Sequence, residues 1–306
     1  MVGKRNFLIK MRSQTLRISE LCVFLQFKKK RFMKKSISAV VFSALLLTGC
    51  GNEFNRVYKT NDYSFKYEYA KECFAKGKYT RCSTLLQDLV TMQKGTDNAQ
   101  ESLYMLAMSE YCNRNYEGAA ATFKKYYTSY PKGFYAEQAH FYVGQSLYKC
   151  TPEPRLDQSQ TVNAIAAFQE FLDLYPDSHN KETAQGRMFE LQDKLVQKEL
   201  YSAQLYYDLG QYFGNCTYGG NNYEACIITA QNALKDYPYS ALREKFAVLV
   251  MKSKYELAQQ SVEEKKLERF QDAEDECYGF LNEYPDSKDK ATAERFINKC
   301  KEFTKD

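Results

Sequence analysis

Four Tyr-Pro dipeptides punctuate this 306-residue chain, and each proline follows a small residue by twelve positions. The pairs are Ala119 and Pro131, Ala164 and Pro176, Cys226 and Pro238, and Ala273 and Pro285. Three positions before the small residue stands an aromatic, Tyr116, Tyr223 or Phe270, with Thr161 the exception. A fixed interval inside units of variable total length marks a repeated helical hairpin. One such hairpin cannot bury its apolar face alone, so the chain must stack several of them. The question of function therefore shifts from chemistry to binding.

The unit from Glu101 to Pro131 gives the physical reading. Leu103, Leu106, Ala107 and Met108 recur at helical spacing, a polar break follows at Asn113, Arg114 and Asn115, and a second helix carries Ala119, Phe123 and Tyr126. Ala107 and Ala119 let the two helices approach closely. Tyr130-Pro131 stops the second helix, because proline disfavours the helical conformation in the residue before it. These marks resemble the tetratricopeptide repeat, which spans about 34 residues per unit. A degenerate first unit runs from Ser64 to Lys94, with Ala70 and Cys82 as its small residues, Gly77 at the turn and Gly95 as a helix stop. The third unit, with Gly144 and Ala164, gains a loop near Cys150 to Gln160. The fourth spans Tyr201 to Pro238 with an insertion at Gly214 to Asn222, and the fifth runs from about Val250 to Pro285. Lys288 to Phe303 reads as a charged terminal helix. The expected fold is an all-α tetratricopeptide-repeat superhelix of about five helical hairpins plus a C-terminal capping helix. No long segment alternates with period two, so strands are not expected.

The N-terminus reads as an address. Lys34-Lys35, an apolar stretch from Ile37 to Leu47 and Leu47-Thr48-Gly49-Cys50 follow one another. A basic start, an apolar core and small residues before a break describe an export signal. Its ending resembles the bacterial lipobox, which implies cleavage before Cys50 and lipidation of that cysteine. From Ile37 the signal offers about 13 residues, against roughly 20 needed to span a bilayer. Export signals normally sit at the start, and 32 residues precede Met33, so Met33 is the expected initiator; the alternative is an unusually long basic region ahead of the apolar core. The expected organisation is a leader and signal at 1–49, a lipid-anchored linker at 50–62, and a repeat domain at 63–306 with N-terminal repeats 63–176 and C-terminal repeats 201–306.

Removing the leader reverses the charge. The whole chain is +5, but residues 1–49 hold 11 Lys and Arg and a single acid, Glu20. The remainder has 32 basic and 37 acidic residues, a net charge of −5. No basic helix or aromatic-basic module is present, so no nucleic acid is expected as a partner. Of the ten cysteines, Cys82 and Cys226 occupy small-residue positions and read as packing thiols. Cys73, Cys112, Cys150, Cys216, Cys277 and Cys300 leave disulfide pairing open. No C-x-x-C occurs, which weighs against zinc. The two histidines, His140 and His179, have no nucleophile or carboxylate beside them in the pattern. No enzyme activity, cofactor or metal is expected.

In tetratricopeptide arrays the first helix of each unit lines a concave groove. Counting from Ala70, Ala107 and Gly144 places Tyr67, Lys71 and Phe74, then Tyr104, Met108 and Tyr111, then Phe141, Gln145 and Tyr148 on that face. Tyr67, Phe74, Tyr104, Met108, Tyr111, Phe141 and Tyr148 form the candidate substrate groove if exposed. The alternative is that they pack against the next repeat.

A lipobox followed by about five such units is similar to the YfiO family, the lipoprotein subunit of the outer-membrane β-barrel assembly machinery. The resemblance is carried by Ala166-Ala167-Phe168, Leu174-Tyr175-Pro176-Asp177-Ser178, a long helix with Leu191, Leu195 and Val196, then Tyr201-Ser202-Ala203, Tyr206-Tyr207 and Ala233 to Pro238. Ala203 comes one position early for the family's Tyr-Ser-x-Ala-x-Tyr-Tyr pattern, and the insertion at 214–222 departs from shorter members. The resemblance implies a non-enzymatic scaffold, anchored by lipid in the outer membrane and facing the periplasm. It implies that the C-terminal repeats hold a barrel-forming assembly protein through its BamA-type periplasmic domains, with Arg243, Lys245, Lys265 and Arg269 as candidate partner-binding residues. It also implies that the N-terminal repeats engage unfolded outer-membrane proteins. The alternative is another envelope tetratricopeptide lipoprotein coordinating cell-wall synthesis.

Overall fold

The computed structural model describes residues 53–212 and 221–304. The leader at 1–49 with Met33, the lipidation site Cys50 and most of the insertion at 214–222 lie outside the described residues. Two compact units divide at Lys94 and Gly95. Among the described residues there is no strand.

The first unit holds one hairpin, α1 (Tyr63–Ala75) and α2 (Tyr79–Met92), preceded by a short helical segment at residues 53–59. Asp62 starts α1, its Oδ1 accepting the Phe65 N–H at 3.0 Å, which satisfies a donor that the first helical turn leaves orphaned. Gly77 turns the chain between the helices with φ 68°, a conformation that costs glycine nothing. Its N–H reaches the Phe74 carbonyl at 3.0 Å, and the Lys78 N–H reaches the Cys73 carbonyl at 2.8 Å. Ala70 and Cys82 are fully buried.

The second unit contains α3 (Ala99–Cys112), α4 (Tyr116–Ser129), α5 (Ala136–Cys150), α6 (Ser159–Leu174), α7 (Lys181–Gly210), α8 (Asn222–Asp236), α9 (Arg243–Gln259), α10 (Glu263–Glu283) and α11 (Lys290–Thr304). Each helix packs on the next along the chain, and α7 also reaches α5 and α9. Counting the first unit's hairpin, the described residues hold five helical hairpins and a terminal helix in succession, the tetratricopeptide pattern. The helix α11 covers the last hairpin, with Ala293, Phe296, Ile297 and Cys300 in one core with Met251, Phe270, Ala273 and Cys277.

The Tyr-Pro register acts as expected. Tyr130, Tyr175, Tyr237 and Tyr284 cap α4, α6, α8 and α10 with φ of −133°, −131°, −126° and −127° and ψ of 67°, 65°, 65° and 64°. Four independent stretches thus leave the helix in one conformation, imposed by the following proline. The residues twelve positions earlier, Ala119, Ala164, Cys226 and Ala273, are all fully buried. Glycine serves the same need where an aromatic sits opposite. A Cβ on Gly144 would stand 2.6 Å from the Phe168 ring, and one on Gly210 would stand 2.6 Å from the Tyr223 ring.

The third hairpin solves its missing aromatic differently. Thr161 stands where the others carry a ring, and it donates to Gln158 Oε1 at 2.6 Å. Gln158 in turn donates to the carbonyls of Glu153 at 2.7 Å and Leu156 at 3.1 Å. Buried polar groups need such partners, and this network ties down the long loop between α5 and α6. The 30-residue α7 spans the stretch between the repeats expected to form N-terminal and C-terminal halves.

Candidate functional site

The faces that could bind are set by the first helix of each hairpin. Its buried small residue, or Met251 in the last hairpin, fixes a register. Four positions after it, Phe74, Tyr111, Tyr207 and Tyr255 each meet the aromatic near the start of the second helix. The ring centroids lie 5.6 Å apart for Phe74 and Tyr79, 5.4 Å for Tyr111 and Tyr116, 5.7 Å for Tyr207 and Tyr223, and 6.3 Å for Tyr255 and Phe270. All four are edge-to-face, the arrangement that aromatic quadrupoles favour. In the third hairpin Tyr148 has only Thr161 at that place, so it turns to α7. Its hydroxyl donates to Glu190 Oε2, and Arg187 lies 4.5 Å from its ring centroid with Nη1 3.0 Å from the hydroxyl. The hydrogen bond from Tyr148 and the Arg187 charge hold the Glu190 carboxyl below its ordinary range.

The seven groove residues expected from sequence divide by exposure. In the first unit Tyr67 is buried, with the Lys71 ammonium 4.8 Å from its ring centroid, and Phe74 is half-buried. In the second unit Phe141 is buried against Phe168 and Phe171. Tyr104, Met108, Tyr111 and Tyr148 are half-buried. Tyr104 stacks on Tyr135 at 4.2 Å, meets Phe123 and Tyr126 edge-on, and donates to Gln138 Oε1 at 2.8 Å. Tyr111 also meets Tyr142 of α5 at 5.2 Å. Tyr104, Tyr111 and Tyr148 join neighbouring first helices, while part of each surface stays open. Burial raises the phenol pKa of Tyr104, Tyr111 and Tyr142 above the ordinary range.

The candidate partner-binding cations also divide. Arg243 reaches Glu283 at 3.0 Å and the Leu234 carbonyl at 3.2 Å, tying α9 to α10 and α8. Arg269 reaches Glu224 at 2.7 Å and Ser261 Oγ at 2.8 Å, tying α10 to α8. Lys245 and Lys265 are exposed. The arginines thus have structural bonds already, and the lysines keep their charges toward solvent. His140 is stacked 3.6 Å from Tyr127 and lies 5.5 Å from Tyr175; burial lowers its pKa.

One open cleft of about 610 Å³ was not anticipated. It lies on α7 and α9 and is bounded by the α10–α11 connection. The groove register would have found it if counted further along the chain. From Ala203 that register gives Leu200, Gln204 and Tyr207, and from Met251 it gives Val248 and Lys252; all five line the cleft. Asp289, from the α10–α11 connection, accepts from Lys252 Nζ at 2.8 Å.

Tandem helical hairpins whose first-helix faces stay partly open define a helical-repeat protein. The model of a family of outer membrane lipoproteins, YfiO, matches residues 60–215, and the chain belongs to that family. It is 26% identical over 180 residues to the putative outer membrane protein assembly factor BamD of Aquifex aeolicus (strain VF5), an alignment covering 57% of each chain. It is 19% identical over 176 residues to the outer membrane protein assembly factor BamD of Caulobacter vibrioides (strain ATCC 19089 / CIP 103742 / CB 15), covering 56% of this chain and 58% of that one. The chain thus spans a little over half the length of these curated relatives. Among the described residues no helix is long and apolar enough to cross a membrane.

Proposed function

We propose that this protein is a lipid-anchored scaffold of the β-barrel assembly machinery that assists folding and insertion of outer-membrane proteins. The observation that carries the reading is the family match over residues 60–215, which coincides with consecutive helical hairpins. Cys50 bears the lipid, the leader at 1–49 is removed, and the repeats face the periplasm. The protein works by holding other proteins and not by catalysis. Its C-terminal repeats, 201–306, dock a barrel-forming partner of BamA type. There Lys245 and Lys265 supply charge at a polar rim, which orients a partner more than it adds affinity, and Arg243 and Arg269 keep the helices in place. The half-buried Phe74, Tyr104, Met108, Tyr111 and Tyr148 offer ring and thioether surface to unfolded barrel proteins, while Tyr67 and Phe141 are buried.

Affinity purification from detergent-solubilised envelopes tests this. The expected result is recovery from the outer-membrane fraction together with a barrel-forming protein that has periplasmic repeat domains. Recovery with cell-wall synthases instead, or from the soluble periplasm alone, would contradict it.

A further inference from the structure

The cleft on α7 and α9 has a neighbour. A second depression of about 420 Å³ lies between α7 and the α5–α6 loop, lined by Pro154, Arg155, Lys198, Leu205 and Asp208 among others. Both depressions include Tyr201 and Gln204 in their lining, so these two residues form the ridge between them. The Arg155 guanidinium sits 4.7 Å from the Tyr201 ring centroid. The result is a trough that crosses the first helices of two consecutive hairpins. A helix with its side chains is about 10–12 Å across, so crossing two runs for roughly 20 Å. An extended chain covers that with about six residues at 3.3–3.6 Å each.

The lining selects the occupant. Leu200, Val248 and Leu249 supply apolar surface in the larger cleft. Around them Lys252 and Asp289 satisfy each other at 2.8 Å. Lys245, Lys288, Glu244 and Asp286 are exposed, and none has an ion-pair partner among the described residues. An occupant of one sign meets repulsion as well as attraction: a nucleic acid or an anionic headgroup would face Glu244 and Asp286. Charges of both signs around an apolar centre satisfy all four. An extended segment also carries unpaired backbone N–H and C=O groups. The Tyr201 hydroxyl accepts from Gln197 Nε2 at 3.0 Å and keeps its own proton to donate, and Gln204 donates to Asp208 Oδ1 at 2.8 Å and keeps its Oε1 as an acceptor, so both can bond to such groups. A strand-like segment places side chains two residues apart on the same side, about 6.6 Å apart, a spacing that lets it straddle a ridge.

We propose that this trough receives a short extended polypeptide segment bearing an apolar side chain flanked by charges of both signs. The inference rests on the reading of the chain as a binding scaffold, and it adds the chemistry of what the α7–α9 face holds. Neither Arg243 nor Arg269 takes part, since their charges are used between helices.

Selection of a displayed random octapeptide library on the purified full chain tests it, followed by fluorescence anisotropy with the enriched peptides. The expected winners carry an apolar residue with a Lys or Arg and an Asp or Glu within two positions. Their affinity is expected to fall at least tenfold in the Lys245→Glu, Lys288→Glu double variant, whose exposed positions leave the fold intact by circular dichroism. Val248→Arg, which fills the apolar centre, is expected to fall as far. No enrichment, winners of a single charge sign, or affinities unchanged in these variants would overturn the proposal. So would a dimer or binding to phosphatidylglycerol vesicles that the same variants abolish. If peptide selection fails while the envelope purification still yields the barrel-forming partner, only the trough is wrong and the scaffold reading stands.

Discussion

Tyr104 shows how one side chain can be read two ways from sequence. Its register places it on the face where a client would lie. Its ring is also stacked on Tyr135 at 4.2 Å and its hydroxyl is bonded to Gln138 at 2.8 Å. Its contacts are therefore shared between its own hairpin, through Phe123 and Tyr126, and the next repeat, through Tyr135 and Gln138. Tyr104→Ala together with Tyr111→Ala is expected to destabilise the fold, each by about 2–3 kcal/mol, less than for a fully buried large ring because both rings are half-buried. Tyr104→Phe, which removes only the hydrogen bond, should cost about 1 kcal/mol. Thermal melts followed by circular dichroism read both effects. An unchanged melt in the double variant would mean that the two rings serve a client alone. The sequence could not separate these uses, because the same register governs both repeat-to-repeat packing and the open face. Tyr148 makes the point from the other side: it turns to Arg187 and Glu190 because Thr161 leaves it without a ring to meet.

At the scale of elements, the hairpins were legible because their controls are local. Proline restricts the residue before it, and a small residue at a helix crossing is a requirement of packing. Those two constraints locate the ends of α4, α6, α8 and α10 and the crossings at Ala119, Ala164, Cys226 and Ala273. Arg114 shows a local control that the pattern hid. It takes φ 64° between α3 and α4, the role that Gly77 plays between α1 and α2, although an arginine does not announce a left-handed turn. The cleft on α7 and α9 was not legible as a cavity, since it needs the α10–α11 connection, far along the chain, to close one side. Gly144 gives the sharpest test of the crossing geometry. Gly144→Ala forces a Cβ to within 2.6 Å of the Phe168 ring unless the ring moves, so it should cost about 1–3 kcal/mol, as overpacking does. Urea denaturation measures it. Neutral or stabilising behaviour would show that α5 and α6 have room to separate.

At the scale of the whole molecule, tyrosine is the commonest aromatic, with 26 residues, and many phenols are buried in helix crossings. Burial raises the pKa of Tyr104, Tyr111, Tyr126 and Tyr142, and Tyr223 is pushed up to about 12. In the unfolded chain tyrosines titrate at about 10. Above that pH the unfolded state loses protons that the folded state retains, so stability falls as pH rises. This contribution is fully present below about pH 10. The urea midpoint should therefore drop steeply between about pH 10 and about pH 12, and a flat midpoint across that range would show that the phenols ionise freely in the folded state. The class of fold and the family were both legible in the chain, since repeat spacing and the segment from Ala164 to Pro238 carry them. The client surface was legible only as a set of candidates.

At the centre stands the proposal that this protein serves the assembly of outer-membrane barrels. The most direct measurement is the amount of folded, heat-modifiable barrel protein in the outer membrane after the protein is depleted from cells, with peptidoglycan cross-linking followed in parallel. The account predicts that folded barrel proteins fall and unfolded ones accumulate in the periplasm before cross-linking changes, and that restoring the full chain reverses both. Unchanged barrel proteins alongside altered cross-linking would contradict it.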